Sequence, residues 1–202
     1  MAIDLTKGQR ISLKKNDSDL TRIEVGVNWG AITKKGFLGT RTIAVDLDAS
    51  VGMFDQRGNL VDEVYFAKLV SKCHSITHSG DDREGDVGGD DGQDNEVITI
   101  DLPRVPLNVH HLALVLNSYK KQDFADIPHA NIRIHDGKAS GGASVFARFD
   151  VANDPTFAGK VSMVLGDVYR HGDSWKFRSI GDPVTAPDLR STLATFAEQY
   201  IS

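Results

Sequence analysis

The chain has 202 residues (22.0 kDa), of which 40% are hydrophobic and 25% charged, with a mean hydropathy of −0.26, the profile of an ordinary globular domain. Its single cysteine, Cys73, excludes an internal disulfide framework and fits a reducing compartment, and no apolar run approaches the roughly 20 residues that cross a bilayer. Met1 to Lys7 carries no signal-peptide pattern, so a cytoplasmic protein is expected.

Period-two alternation then runs along the chain. Ile23, Val25, Val27 and Trp29 share one face of a predicted strand, with Arg22, Glu24 and Asn28 opposite. Ile43, Val45, Leu47, Ala49, Val51 and Met53 repeat the pattern over a longer strand. Ile98, Ile100 and Leu102 alternate again within Val97 to Leu102, whereas Leu112 to Leu116 is continuously apolar, as in a strand covered on both faces. A short helical turn is predicted between Tyr119 and Ala125. Val145, Ala147, Phe149 and Val151 face one way, with Arg148 and Asp150 facing the other. Val161 to Tyr169 and Ser174 to Ile180 read as a hairpin across His171-Gly172-Asp173. Leu189, Leu193, Phe196 and Tyr200 follow helical spacing after Asp188, a good N-cap. About nine to eleven short strands separated by Gly, Asp and Asn predict an all-β, two-sheet β-sandwich with a C-terminal helix and few short helical turns, a single domain over residues 1–202.

The net charge of −5 is unevenly spread. Residues 81–96 hold eight acids, Asp81, Asp82, Glu84, Asp86, Asp90, Asp91, Asp94 and Glu96, against Arg83 alone, so this segment is −7 and the rest of the chain +2. The remainder has no basic stripe of the kind a nucleic-acid binder shows. Asp46 and Asp48 lie two apart on a predicted strand, so their Cβ atoms sit roughly 6–7 Å apart on one face. Carboxylates at that spacing repel unless a cation lies near them. The Gly-rich acidic loop adds further carboxylates, and its glycines let carbonyls turn inward. Calcium takes six to eight such hard oxygens in irregular geometry, while magnesium keeps more of its waters and ranks second. A solvated, flexible acidic turn is the plain alternative. The loop lacks the ligand order of an EF-hand and the repeats of a β-roll. One cysteine with His74 and His78 nearby is an incomplete zinc set, and no phosphate-binding Gly-rich loop opens a helix.

Several blocks together resemble the TerD family of bacterial tellurite-resistance and general-stress proteins. These are Thr6-Lys7-Gly8-Gln9-Arg10-Ile11-Ser12-Leu13, Val25-Gly26-Val27-Asn28-Trp29, Asp46-Leu47-Asp48-Ala49-Ser50 and His78-Ser79-Gly80-Asp81-Asp82-Arg83, followed by the pair Tyr169-Arg170-His171-Gly172 and Trp175-Lys176-Phe177-Arg178. The resemblance spans nearly the whole chain. It implies a sandwich that binds calcium at two neighbouring sites. Asp46, Asp48 and Asp81 carry over, Asp82 lies within the same block, and Glu96 with Asp94, or with Asp90 and Asp91, resembles the family's terminal acidic cluster. The loop is longer than the family's, Ala67-Lys68 replaces an Asn-Asn pair, and Gly30 stands where an aspartate often follows the tryptophan. These departures predict one strong and one weak ion. The expected function is a non-enzymatic calcium-binding stress protein with one or two ions and a possible protein partner at the acidic-loop face. Alternatives are a metal-dependent hydrolase using the same acids, or a calcium-dependent adaptor that docks a protein or membrane. A single thiol offers little capacity to reduce tellurite directly.

Overall fold

The structure, a computed structural model, describes residues 2–37, 39–137, 145–151 and 155–201. The strands in chain order are β1 (Ile3–Asp4), β2 (Arg10–Ser12), β3 (Lys14–Lys15), β4 (Ser18–Asp19), β5 (Arg22–Trp29), β6 (Ile32–Gly36), β7 (Gly39–Ile43) and β8 (Leu47–Phe54). They continue with β9 (Leu60–Val64), β10 (Ile76–His78), β11 (Glu96–Asp101), β12 (His111–Ser118), β13 (Ala130–His135), β14 (Val145–Val151), β15 (Ser162–His171) and β16 (Ser174–Val184). The helix α1 spans Leu189–Tyr200, and short 3-10 turns lie at Leu102–Arg104, Phe124–Asp126 and Pro155–Phe157.

Two six-stranded sheets form the sandwich. The first has the order β1-β14-β13-β5-β11-β10 and the second β2-β16-β15-β12-β8-β9; β3-β4 and β6-β7 are separate hairpins. The alternating apolar rows meet between the sheets. Val25, Val27, Ile98, Ile100 and Ile132 from the first sheet bury against the same core as Leu47, Val51, Leu112, Leu114 and Leu116 from the second. Both faces of β12 are covered, as its unbroken apolar run predicts. Ala113 and Val115 point out of the sandwich into a second cluster with Phe54, Leu193 and Phe196 under α1. That helix has the predicted bounds, and the Asp188 side chain caps it by accepting from Ser191 N–H at 2.8 Å. The predicted hairpin closes through Gly172-Asp173, with His171 paired to Ser174. Ala147 and Phe149 are buried and Arg148 and Asp150 exposed, as their alternation predicts; the Val151 side chain lies outside the described residues.

One expectation is corrected. The predicted strand over residues 43–53 breaks: β7 ends at Ile43, β8 starts at Leu47, and residues 44–46 are irregular. Their backbone groups find other partners. Val45 N–H donates to Glu84 O at 3.1 Å, and the Gln122 side chain bonds Ala44 O (2.8 Å) and Asp46 N–H (3.2 Å). Beyond the exposed Arg22, the outer face of β5 is shielded from water. Glu24 and Asn28 are buried, and the acidic loop folds back over Asn28, whose Nδ2 donates to Gln93 O at 2.8 Å. Gly26 permits this approach, since a Cβ there would lie 2.1 Å from the Asp94 carboxyl carbon.

Candidate metal centre

The acidic loop is pinned along its length. Asp86 N–H donates to Trp29 O at 3.1 Å and Asn95 N–H to Val27 O at 2.9 Å, while the Asn95 side-chain oxygen accepts Trp29 N–H at 2.8 Å. Gly85 sits at φ +63 against the Trp29 ring, where a Cβ would fall 2.5 Å from Nε1. Trp29 is fully buried, and its Nε1 donates to Val45 O at 2.9 Å. The tryptophan of the Val25–Trp29 block therefore joins the loop to the segment that carries Asp46.

Asp46, Asp48 and Asp81 converge, each offering a carboxylate oxygen within 4.8 Å of the others. Asp46 precedes β8 and Asp48 lies within it; both are buried, and Asp81 closes the group from the exposed start of the loop. Burial first, then the Glu96, Asp46 and Asp81 carboxylates, push the Asp48 carboxyl up to about 7. The basic groups here sit at the rim. Lys120 Nζ lies 3.2 Å from Asp46 Oδ2 and 3.3 Å from Arg83 O, and Arg83 Nε donates to Asp81 Oδ2 at 2.8 Å. The half-exposed Lys120 ammonium thus already occupies a position where a carboxylate and a backbone carbonyl jointly hold positive charge. Three carboxylates and a nearby carbonyl make a hard-oxygen donor set that fits calcium.

Glu96 and Asp82, both candidates from the sequence, sit beside this group in bracing roles. β9 ends at Val64, which pairs with Val51, so the edge of β8 at Ala49 has no strand beside it. Side chains take the missing places. Glu96 Oε2 accepts Ala49 N–H at 2.8 Å, and His78 Nε2 donates to Ala49 O at 3.0 Å. His78 Nδ1 accepts Gly80 N–H at 3.0 Å, which places the proton on Nε2; burial works against a charged ring, but Glu96, 3.4 Å from Nε2, draws the imidazole above its usual range. The other Glu96 oxygen accepts Asp82 N–H at 3.2 Å, and burial pushes the Glu96 carboxyl above its usual range. Asp82 Oδ1 accepts the N–H groups of Glu84 and Gly85, both at 2.9 Å, and so shapes the loop's first turn.

The remaining candidates divide. Asp94 lies over the first sheet, with Oδ1 2.6 Å from Arg133 Nε and Oδ2 2.9 Å from His135 Nε2. Asp90 and Asp91 instead group with Asp86, again within 4.8 Å. Asp86 was absent from the sequence-level ligand set. Its oxygens accept from Asn28 Nδ2 (2.9 Å) and Asn95 Nδ2 (3.1 Å), which hold it in place. The signal that could have found it is the Gly85-Asp86 step, where a tight turn presents a carboxylate beside Trp29. Asp90 and Asp91 are exposed, and each accepts a backbone N–H two residues on.

A family model described as the TerD domain matches residues 1–200. Stress response protein SCP2 of Bacillus subtilis (strain 168) is 34% identical, over 97% of this chain and 100% of that protein. Tellurium resistance protein TerZ of Serratia marcescens is also 34% identical, over 96% of this chain and 97% of its own. Among solved structures, a homologue of telluride resistance protein (TerD) from Streptomyces coelicolor A3(2) superposes with a TM-score of 0.62, covering 91% of this chain and 98% of that one. At 17% identity that match supports the fold alone. Among the described residues no helix is long and apolar enough to cross a membrane.

Proposed function

Since the chain belongs to the TerD family, whose relatives are named as tellurium resistance and stress response proteins, we propose that it serves the same stress response by binding calcium at Asp46, Asp48 and Asp81. The observation that carries this reading is a buried carboxyl, Asp48, surrounded by three others, with Lys120 and Arg83 at the rim and only the His78 imidazole buried beside them. Clustered carboxylates in low dielectric are costly, and a divalent ion removes the cost. The bracing by Glu96 and His78 fixes β8 so that Asp48 needs no rearrangement to bind. Asp86, Asp90 and Asp91 are proposed as a second, weaker position, since two of the three are exposed and would keep more water around the ion.

A hydrolytic role for the centre finds less support. A metal-dependent hydrolase needs an open coordination position and a nearby base or nucleophile. His78, the buried imidazole beside Glu96, already uses both ring nitrogens on Ala49 and Gly80.

Thermal melts of the whole chain in calcium, magnesium and chelator test the proposal. Calcium should raise the midpoint well above the chelated value, because an ion bound only by the folded chain stabilises it by mass action. Magnesium should raise it less. Superimposable curves, with no heat of calcium binding by calorimetry, would remove the reading.

A further inference from the structure

The paired block Tyr169–Gly172 and Trp175–Arg178 plays no part in the acidic centre, yet it builds a cavity of its own. The cavity, about 320 Å³, opens on the outer face of the second sheet beside the C-terminal end of α1. Its walls come from alternate residues of neighbouring strands. Asp167 on β15 pairs with Arg178 on β16, which pairs in turn with Arg10 on β2. Tyr169 likewise pairs with Lys176. Arg178 and Arg10 are therefore like charges placed directly opposite each other, which is unfavourable in a sheet, and the Asp167 carboxylate, 3.2 Å from Arg178 Nη2, offsets only one of them.

Asp167 supplies the second observation. It is 1% exposed and lines the cavity. Its Oδ2 is engaged by His111 Nδ1 at 3.0 Å and Arg178 Nη2 at 3.2 Å, while its Oδ1 has no hydrogen-bond partner. Arg178 Nε is likewise buried without a partner, although Nη2 also donates to Tyr200 O at 3.2 Å. A buried acceptor and a buried donor thus stand unpaired on adjoining residues of a cavity that Arg10 and Lys176 also line.

We propose that this cavity is a binding site for a small tetrahedral oxyanion that retains a proton, of the hydrogen phosphate class. Such an anion satisfies both orphan groups at once. An ionised oxygen accepts from Arg178 Nε and faces Arg10 and Lys176, and the O–H donates to Asp167 Oδ1. A fully ionised tetrahedral anion of the same size meets the Asp167 carboxylate with no proton to offer and is repelled. A carboxylate set in a basic cavity therefore discriminates by protonation, where basic residues alone would take any anion.

Calorimetric titration of the full chain in calcium-free buffer at neutral pH tests this independently of the acidic centre. Inorganic phosphate should bind saturably at one site. Sulfate should bind at least about tenfold more weakly, since a site built around a ligand's O–H rejects the analogue without it. An alkyl phosphate above its second pKa of about 6 should follow sulfate, which separates free phosphate from a phosphoryl group on an organic molecule. Asp167→Asn should abolish the preference, so that sulfate binds as well as phosphate. Arg10→Ala with Lys176→Ala alters surface positions, leaves the fold intact and should weaken phosphate about tenfold. The proposal is overturned if phosphate does not saturate, if wild type binds sulfate equally well, or if the Arg10/Lys176 double change leaves phosphate affinity unaltered.

Discussion

The two acidic groups differ in how the fold treats them. Asp46, Asp48 and Asp81 rest on the broken edge of β8, with two of the three carboxylates buried. Asp86, Asp90 and Asp91 have two of three in the open, and their nearest donors are amides and their own backbone. Equal formal charge therefore has unequal consequence. In water a carboxylate trio is screened over about 8–10 Å and relaxes apart, whereas within the fold burial, with Glu96, Asp46 and Asp81 close by, pushes the Asp48 carboxyl up to about 7. Burial, more than the number of acids, makes the first group a place for an ion.

Asp48→Asn breaks the comparison most sharply. It should lower calcium affinity by more than about a hundredfold, because a ligand and a unit of charge are lost together. The same change should raise the calcium-free melting midpoint by about 2–4 °C, the shift that 1 kcal/mol produces in a chain of this size. Opposite signs for ion binding and ion-free stability distinguish a strained site from an ordinary surface cluster. A fall in both measurements would mean that Asp48 serves the fold rather than the ion.

The pH response is the next largest effect. Burial, with Glu96, Asp46 and Asp81 close by, raises Asp48 from 3.8 to about 7, so the folded chain holds this proton more tightly than the unfolded one. That contribution to stability is complete below the lower value and is lost as pH rises through about 7. Calcium has to displace the proton, so its affinity should climb over the same interval and flatten above it. Calorimetry in buffers of different ionisation enthalpy should record proton release on the acid side only. A flat affinity from acid to neutral pH would contradict the assignment.

Smaller effects separate the loop's packing from its charge. Gly26→Ala places a methyl group on the Asp94 carboxyl and should lift that residue from Arg133 and His135, costing about 1–3 kcal/mol in denaturant unfolding. Asp90→Asn with Asp91→Asn should change affinity at the first centre less than about threefold, since exposed charges are screened. A large loss there would make the two groups one site.

Much of this was legible in the residues. Alternation located most of the strands and the row of inward side chains, and Asp188 with helical spacing located α1. The Asp46-x-Asp48 step and the loop's start at Asp81 pointed to the acids that converge. What the sequence hid depends on contacts distant along the chain. Asp94 looked like any other loop acid because its partners, Arg133 and His135, lie about 40 residues away on β13. Their alternation with Ile132 and Ile134 places them on the outer face, and counting basic residues there would have given warning. Glu96 reads as a ligand, yet it replaces a missing strand at Ala49, and no local pattern reports where a neighbouring strand stops. The irregular step at residues 44–46 was invisible for the same reason, since its hydrogen bonds go to Glu84 and Gln122.

A crystal structure of the whole chain grown with calcium is the most direct test. The account predicts an ion held by Asp46, Asp48 and Asp81 at about 2.3–2.6 Å, with Glu96 still on Ala49 and Asp94 still on Arg133. An ion seated on Asp94 and Glu96 instead, or saturating calcium with nothing bound among the three aspartates, would contradict it.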